Sequence, residues 1–308
     1  MTKNAKDKGQ RAKRNCKNSF NSSGSALIVT LLLISILTGL VVDFVYDVHI
    51  DTSFLSNWSN AQKAALIAKS GQNLSTMYFD DIKNDKYTDQ HDLEMPVGQY
   101  LGANVELIIK IEDENSKFNI NSIIYQQNRK TDEKQLSSLK KLFEYLNINP
   151  DLYLVIADWI DTDMEPRLAD SEDGAKNTFL WSVDELKLIE GIDKKTFDRI
   201  SPYITVFGNG KVNINTADVP VLVCLAENMT ELLANKIIEY RNDSPFKHFS
   251  HVQHTGIEYS VAQHFTLLNS TVKSTFFRVT ASSSVNGITR VIESVMDTSM
   301  KVHFWREG

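Results

Sequence analysis

SALIVTLLLISILTGLVV, Ser25–Val42, is a run of eighteen residues without a charge, dominated by Leu, Ile and Val. As a helix it spans roughly 27 Å, close to the hydrocarbon thickness of a bilayer. The charges on either side of it are unequal. Lys3, Lys6, Lys8, Arg11, Lys13, Arg14 and Lys17 precede it with Asp7 as the one acid, and Asp43, Asp47 and Asp51 follow. The positive-inside rule places the basic end in the cytoplasm and the remainder across the membrane, in a Gram-negative cell the periplasm. Of the 33 cations and 39 acids in the 308 residues, seven and one lie before Ser25. The remainder holds 26 and 38, a balance of −12, which excludes a general binder of nucleic-acid backbones. With 42% hydrophobic and 23% charged residues the chain has the composition of one or two globular domains. Two cysteines, Cys16 and Cys224, exclude a disulfide scaffold and a cysteine-based zinc module.

Three readings of the junction before the apolar run differ in where the chain is cut. A secretory signal has its small residues after a shorter apolar region, whereas here Asn21-Ser22-Ser23-Gly24 comes before it. A plain signal anchor is not cut at all. In the third reading Gly24-Ser25-Ala26-Leu27-Ile28-Val29 resembles the signature of prepilin leaders, which prepilin peptidase cuts after the glycine. The mature chain then starts at Ser25 and keeps its membrane helix. Most pilins carry a glutamate at the fifth mature position to neutralise the terminal amine of an adjacent subunit within the lipid, and that position here is Val29. An unpaired charge in the bilayer is expensive, so a subunit without this glutamate suits the end of a filament, with nothing above it. Ser25 also replaces the aromatic residue or Met often found at processed termini, which leaves its methylation open.

From Asp43 to about Lys83, Phe44, Val48, Leu55, Trp58, Ala61, Ala65, Ala68 and Leu74 recur at three- and four-residue intervals, predicting a helix until the polar stretch Asn84–Pro96 breaks it. Strands are predicted over Tyr100–Ile111 and Phe118–Ile123, and helices over Lys134–Leu146, Pro150–Ile160 and Ser182–Glu190. Ser182 and Glu185 have capping-box spacing. Short strands are expected over Tyr203–Phe207 and Lys211–Asn215, and helices over 217–227 and 230–242. Three terminal strands follow, Phe276–Ser284, Thr289–Asp297 and Lys301–Trp305, the first two joined at Asn286-Gly287. One internal echo is visible, Lys117-Phe-Asn-Ile-Asn121 against Lys211-Val-Asn-Ile-Asn215. Helices flanked by strands predict an α+β fold with an all-α domain inserted.

Four groups bear on chemistry. Asp161, Asp163, Glu165, Asp170, Glu172 and Asp173 place six carboxylates in thirteen residues, a donor set suited to calcium although not spaced as an EF-hand; a solvated charge run is the other reading. Val212–Ala217 with Lys236–Arg241 resembles a helix-hairpin-helix, the DNA-binding repeat of competence proteins. Its hairpin position, Ala226-Glu-Asn-Met-Thr230, lacks glycine and adds an acid; the degenerate unit Val183–Asp193 keeps one glycine but is again acidic. DNA uptake is thus the alternative function, and the charge balance argues against it. His248, His251 and His254 would spread around an α-helix, so a solvated face is expected for them rather than a metal site. Cys224, in Val221-Leu-Val-Cys-Leu225, reads as core, and no nucleophile motif appears, so an enzyme is not expected.

Taken in order, Gly24–Val29, Asp113-Glu-Asn-Ser-Lys-Phe-Asn-Ile-Asn121, Asp158-Trp-Ile-Asp161 with Glu165-Pro-Arg167, Ser182-Val-Asp-Glu-Leu186, Tyr203-Ile-Thr-Val206 and Lys211-Val-Asn-Ile-Asn-Thr-Ala217 resemble the protein K family of type II secretion, minor pseudopilins. The resemblance implies a pilin-like domain, a long helix plus antiparallel sheet, with the helical insertion. It divides the chain into a leader 1–24, a membrane helix 25–48, pilin-like parts 49–123 and 273–308, and inserted parts 124–210 and 211–272. It further implies a place at the tip of the pseudopilus with minor pseudopilins I and J, an inner-membrane anchor, and calcium in the soluble part.

Overall fold

The computed structural model describes residues 22–89, 92–97, 104–127, 129–266 and 269–308. The basic leader through Asn21, Cys16 within it, and the start of the strand expected from Tyr100 lie outside the described residues.

A single helix, α1, runs Ser22–Ile82. The chain divides into two units, residues 1–58 and 59–308. In the first, α1 exposes Leu27, Ile28, Leu31, Leu37 and their neighbours all round, the pattern of a surface made for lipid. It is the one described helix long and apolar enough to cross a membrane. The two threonines of the uncharged run Ser25–Val42 are satisfied internally: Thr30 Oγ1 donates to the Leu27 carbonyl at 2.9 Å and Thr38 Oγ1 to the Ile34 carbonyl at 2.8 Å.

In the second unit the rest of α1 lies on a five-stranded antiparallel sheet of order β1-β2-β7-β8-β9. The strands are β1 Asp92–Pro96, β2 Val105–Asp113, β7 Phe276–Val285, β8 Ile288–Asp297 and β9 Val302–Glu307. Ala61, Ala64, Ala68, Gly71, Gln72, Ser75 and Phe79 recur at helical spacing and are all buried. The small ones let the backbones approach: a Cβ on Gly71 would lie 3.0 Å from Leu107 Cδ1 and 3.2 Å from the Ala281 Cβ. Gln72 donates to the carbonyls of Val279 and Ile292 and accepts from Ser294 Oγ, so its burial leaves no polar atom bare. Alternate residues Leu107, Ile109 and Ile111 of β2 and Phe277, Val279 and Ala281 of β7 complete this core. The β7–β8 turn is at Asn286-Gly287 as expected, both residues at positive φ, 50° and 81°. β1 lies inside the stretch expected only to break the helix. Asp, Glu and Pro weaken its β-signal, but Leu93 opposite Ile111 and Met95 opposite Ile109 pack on the core from a sheet edge.

β2 and β7 are neighbours in the sheet, and the chain between them forms a second core of its own. Its elements are β3 Phe118–Asn119, α2 Glu133–Tyr145, α3 Leu152–Ile160, α4 Lys194–Ile200, β4 Ile204–Thr205, β5 Val212–Asn213, α5 Val219–Leu225, α6 Glu231–Asp243, α7 Tyr259–Ala262 and β6 Ser270–Thr271. Two expectations need correcting. Phe118–Ile123 is strand for two residues only and then turns into a 3-10 segment, Ile120–Ile123. Ser182–Glu190 is 3-10, Val183–Leu188, not α, although Ser182 and Glu185 form the expected capping box.

The sequence echo marks a structural duplication. Asn119 Oδ1 accepts from the Asn121 backbone N–H at 2.9 Å, and Asn213 Oδ1 from that of Asn215 at 3.0 Å. Asn121 clamps Leu180, donating to its carbonyl and accepting from its N–H; Asn215 does the same to Phe246. Two residues beyond each clamp, Ser182 and His248 cap 3-10 segments, and a left-handed glycine follows each, Gly191 at φ 87° and Gly256 at φ 75°. Asp193 and Glu258 then precede α4 and α7, which lead to the parallel pairs β3–β4 and β5–β6. A side chain at Gly191 would also meet Leu152 Cδ2 at 2.8 Å.

Candidate functional site

The acidic loop interrupts the first of these two copies, between α3 and Val183–Leu188. Asp158 is buried on α3, and Asp161, also buried, caps the C-terminus of that helix. Arg167 folds back onto both: its guanidinium pairs with Asp158 and, at 2.5 Å, with Asp161 Oδ2, and it donates to Thr131 Oγ1 at 2.7 Å. Asp158 also accepts from the Arg167 backbone N–H at 2.9 Å and from Ser171 Oγ, so its acceptors are taken.

The remaining carboxylates are not matched in this way. Asp161, Asp163 and Glu172 each bring an oxygen within 4.8 Å of the other two. Asp161 Oδ1 and both Glu172 oxygens are shut off from solvent and meet no donor; Asn177 Oδ1 is a further buried acceptor without one. Burial pushes the Asp161 carboxyl above the ordinary carboxylate range against the pull of Arg167, and the charges of Asp163 and Asp158 push the same way. Glu172 is raised by burial and then by Asp158, Asp161 and Asp163. One guanidinium faces four acids, and buried acceptors without donors are costly. An all-oxygen set of this kind fits a hard divalent cation such as calcium and is ill matched to a thiophilic metal. Of the six acids singled out in the sequence, the structure thus gathers Asp161, Asp163 and Glu172; Glu165, Asp170 and Asp173 are exposed and outside the group. Asp158 and Arg167, absent from that set, hold the loop in place.

The other groups resolve differently. Arg241, the cation of the helix-hairpin-helix look-alike, donates to the carbonyls of Ile214 and Ala217 at 2.9 and 2.7 Å, and burial pulls its pKa down to about 10. It is a brace within the fold. Cys224 is buried among apolar side chains, where its thiol is pushed up to about 12, far from nucleophilic use. His248, His251 and His254 lie on or cap a 3-10 helix, Phe249–Thr255. His251 and His254 stand one turn apart on it with their rings stacked, where an α-helix would spread them. Gly24, Ser25 and Val29 fall in the exposed first turns of α1.

Two family models, both described as type II secretion system protein K, match residues 116–209 and 212–254, the first copy of the helical body and the larger part of the second. The type II secretion system protein K of Pseudomonas aeruginosa is 22% identical over 236 residues, 67% of this chain and 68% of that one. A putative type II secretion system protein K of Escherichia coli K12 is 23% identical, covering 78% of this chain and 83% of its own. Among solved structures, the crystal structure of the GspK–GspI–GspJ complex from the enterotoxigenic Escherichia coli type 2 secretion system includes a chain of like fold. The TM-score is 0.64 at 16% identity, over 82% of this chain and 99% of that one.

Proposed function

We infer that this chain, which belongs to the type II secretion system protein K family, is a minor pseudopilin that assembles with minor pseudopilins I and J to support export of folded proteins. The observation that carries this is the interruption of one antiparallel sheet, between the adjacent strands β2 and β7, by the helical body that both family models match. The solved complex whose fold this chain shares contains proteins K, I and J, which supports the same partners here.

On this reading prepilin peptidase cuts between Gly24 and Ser25, and α1 stores the subunit in the inner membrane with the body in the periplasm. Assembly exchanges lipid contacts for helix–helix contacts. Val29 offers no carboxylate to the amine of a subunit above, which favours the end of the filament. The role is architectural rather than catalytic. A cation, calcium by its chemistry, would be held by Asp161, Asp163 and Glu172, and would supply the positive charge that Arg167 alone does not. Asp158, Arg167 and Ser171 position that loop without binding the cation.

Intact-mass and N-terminal analysis of the membrane-extracted chain, from cells with and without the peptidase, tests the class. The expected mature chain starts at Ser25 only when the peptidase is present. An uncut Met1, or a cut after the apolar run, would overturn the pseudopilin reading.

A further inference from the structure

We propose that His251 and His254 form a two-imidazole chelate for a borderline divalent transition metal, Cu²⁺ most tightly. They lie one turn apart on the 3-10 helix Phe249–Thr255. Three residues of a 3-10 helix make one turn and rise about 6 Å, the same step that separates the i and i+4 histidines of helical zinc sites. The two rings are stacked, with centroids 5.1 Å apart and planes inclined by 29°.

The backbone beneath them is held in place. Val252, between the two histidines, is fully buried, Thr255 Oγ1 donates to its carbonyl at 2.7 Å, and Gly256 turns the chain away in the left-handed region. His254 is exposed and free to swing its ring, and His251 is half-buried. Metal–nitrogen bonds of about 2.0–2.1 Å need the donor atoms closer than the ring centres now are, a change that side-chain rotation supplies at a surface. His248 stands apart. Its Nδ1 is engaged by Ser250, Oγ at 2.7 Å and backbone N–H at 3.3 Å, and its ring is 6.1 Å from that of His251 at 56°. The chelate therefore has two protein ligands and leaves the other positions to water.

The donor type separates this site from the acidic loop. Imidazole suits Cu²⁺, Ni²⁺ and Zn²⁺, whereas carboxylate oxygens suit Ca²⁺, so the two sites do not compete for one ion.

Calorimetric titration of the full chain with Cu²⁺ tests it, on protein purified in detergent without an affinity tag and kept in excess Ca²⁺. One Cu²⁺ per chain is expected, with Zn²⁺ weaker in line with the general affinity order. His254→Ala and His251→Ala should each weaken binding by at least about tenfold, the loss that removing even an outer-shell partner causes. His248→Ala and Glu172→Gln should leave it within about twofold, since neither is a ligand. Absence of saturable binding, or binding unchanged in His254→Ala, would overturn the proposal. So would a loss in Glu172→Gln, which would assign the copper to the acidic loop. Because the His254 side chain is exposed, that variant keeps the fold, and an unchanged circular dichroism spectrum verifies it.

Discussion

Stripping divalent cations with a chelator should lower the melting temperature of the full chain by about 5–10 °C, and Ca²⁺ should restore it. A ligand held at a hundred times its dissociation constant stabilises by about 2.7 kcal/mol, and each kcal/mol is worth about 2–4 °C in a domain of this size. The effect depends on pH in a defined direction. In the metal-free fold Asp161 and Glu172 are raised above their unfolded values of 3.8 and 4.5. Their protonated forms are therefore favoured on folding, and stability present below the unfolded values is lost as pH rises through the raised ones. A bound cation reverses that loss by holding the ionised forms. The calcium increment should be smallest in mild acid and grow toward neutral pH. Glu172→Gln, which removes a charge whose two oxygens meet no donor, should abolish the increment and leave the metal-free protein at least as stable. Equal calcium shifts in Glu172→Gln and the parent chain would show that the cation binds elsewhere.

Asp113→Ala should cost about 3–5 kcal/mol, because it leaves several donors stranded in a dry place, at about 1–3 kcal/mol each. Asp113 sits at the end of β2 with 1% of its surface exposed. It accepts from the Asn115 backbone N–H at 2.8 Å, from the hydroxyls of Thr216 and Ser274 at 2.5 Å each, and from Asn213 Nδ2 at 3.3 Å. These partners come from the helical body and from the segment leading into β7, so one carboxyl joins the sheet to the insertion. Asn213 extends the joint to the Thr88 carbonyl at 3.0 Å. Asp113→Asn keeps the shape, and the hydroxyls of Thr216 and Ser274 can reverse their roles to meet its new donor, so it should cost less than the alanine variant. Urea unfolding of the detergent-solubilised chain measures both. A cost under about 1 kcal/mol for Asp113→Ala would show that the network adds no more than an ordinary hydrogen bond.

Glu114, the next residue, shows how the same burial is resolved with cations at hand. Burial alone would raise its carboxyl, but Lys117 and Arg278 hold it below the usual range, with Arg278 Nε at 2.6 Å and Thr205 Oγ1 also donating to it. The acidic loop has one cation where this site has two, which is why the orphaned acceptors collect there.

The parts of the fold that sequence made legible are those set by local chemistry. The uncharged run from Ser25, the alternation in β7 and β8, the Asn286-Gly287 turn and the Ser182–Glu185 capping box are each written in a few adjacent residues. β1 was illegible because an edge strand needs only Leu93 and Met95 to face the core and tolerates Pro96 at its end. The 3-10 character of Val183–Leu188 and Phe249–Thr255 was hidden because side-chain periods of three and of 3.6 barely differ over six or seven residues. Six acids in a loop announced a cation-like charge density, but which of them converge depends on Arg167 folding back onto α3, a tertiary event. The two Asn-Ile-Asn echoes hinted at the duplication, while their partners Leu180 and Phe246 lie 59 and 31 residues downstream, out of reach of local pattern.

Coexpression of the full chain with minor pseudopilins I and J of the same secretion system, followed by detergent extraction and native mass spectrometry, tests whether the three assemble. A single complex containing one copy of each subunit is expected, with the mature chain beginning at Ser25. An I–J pair that leaves this chain behind as a separate species would contradict it.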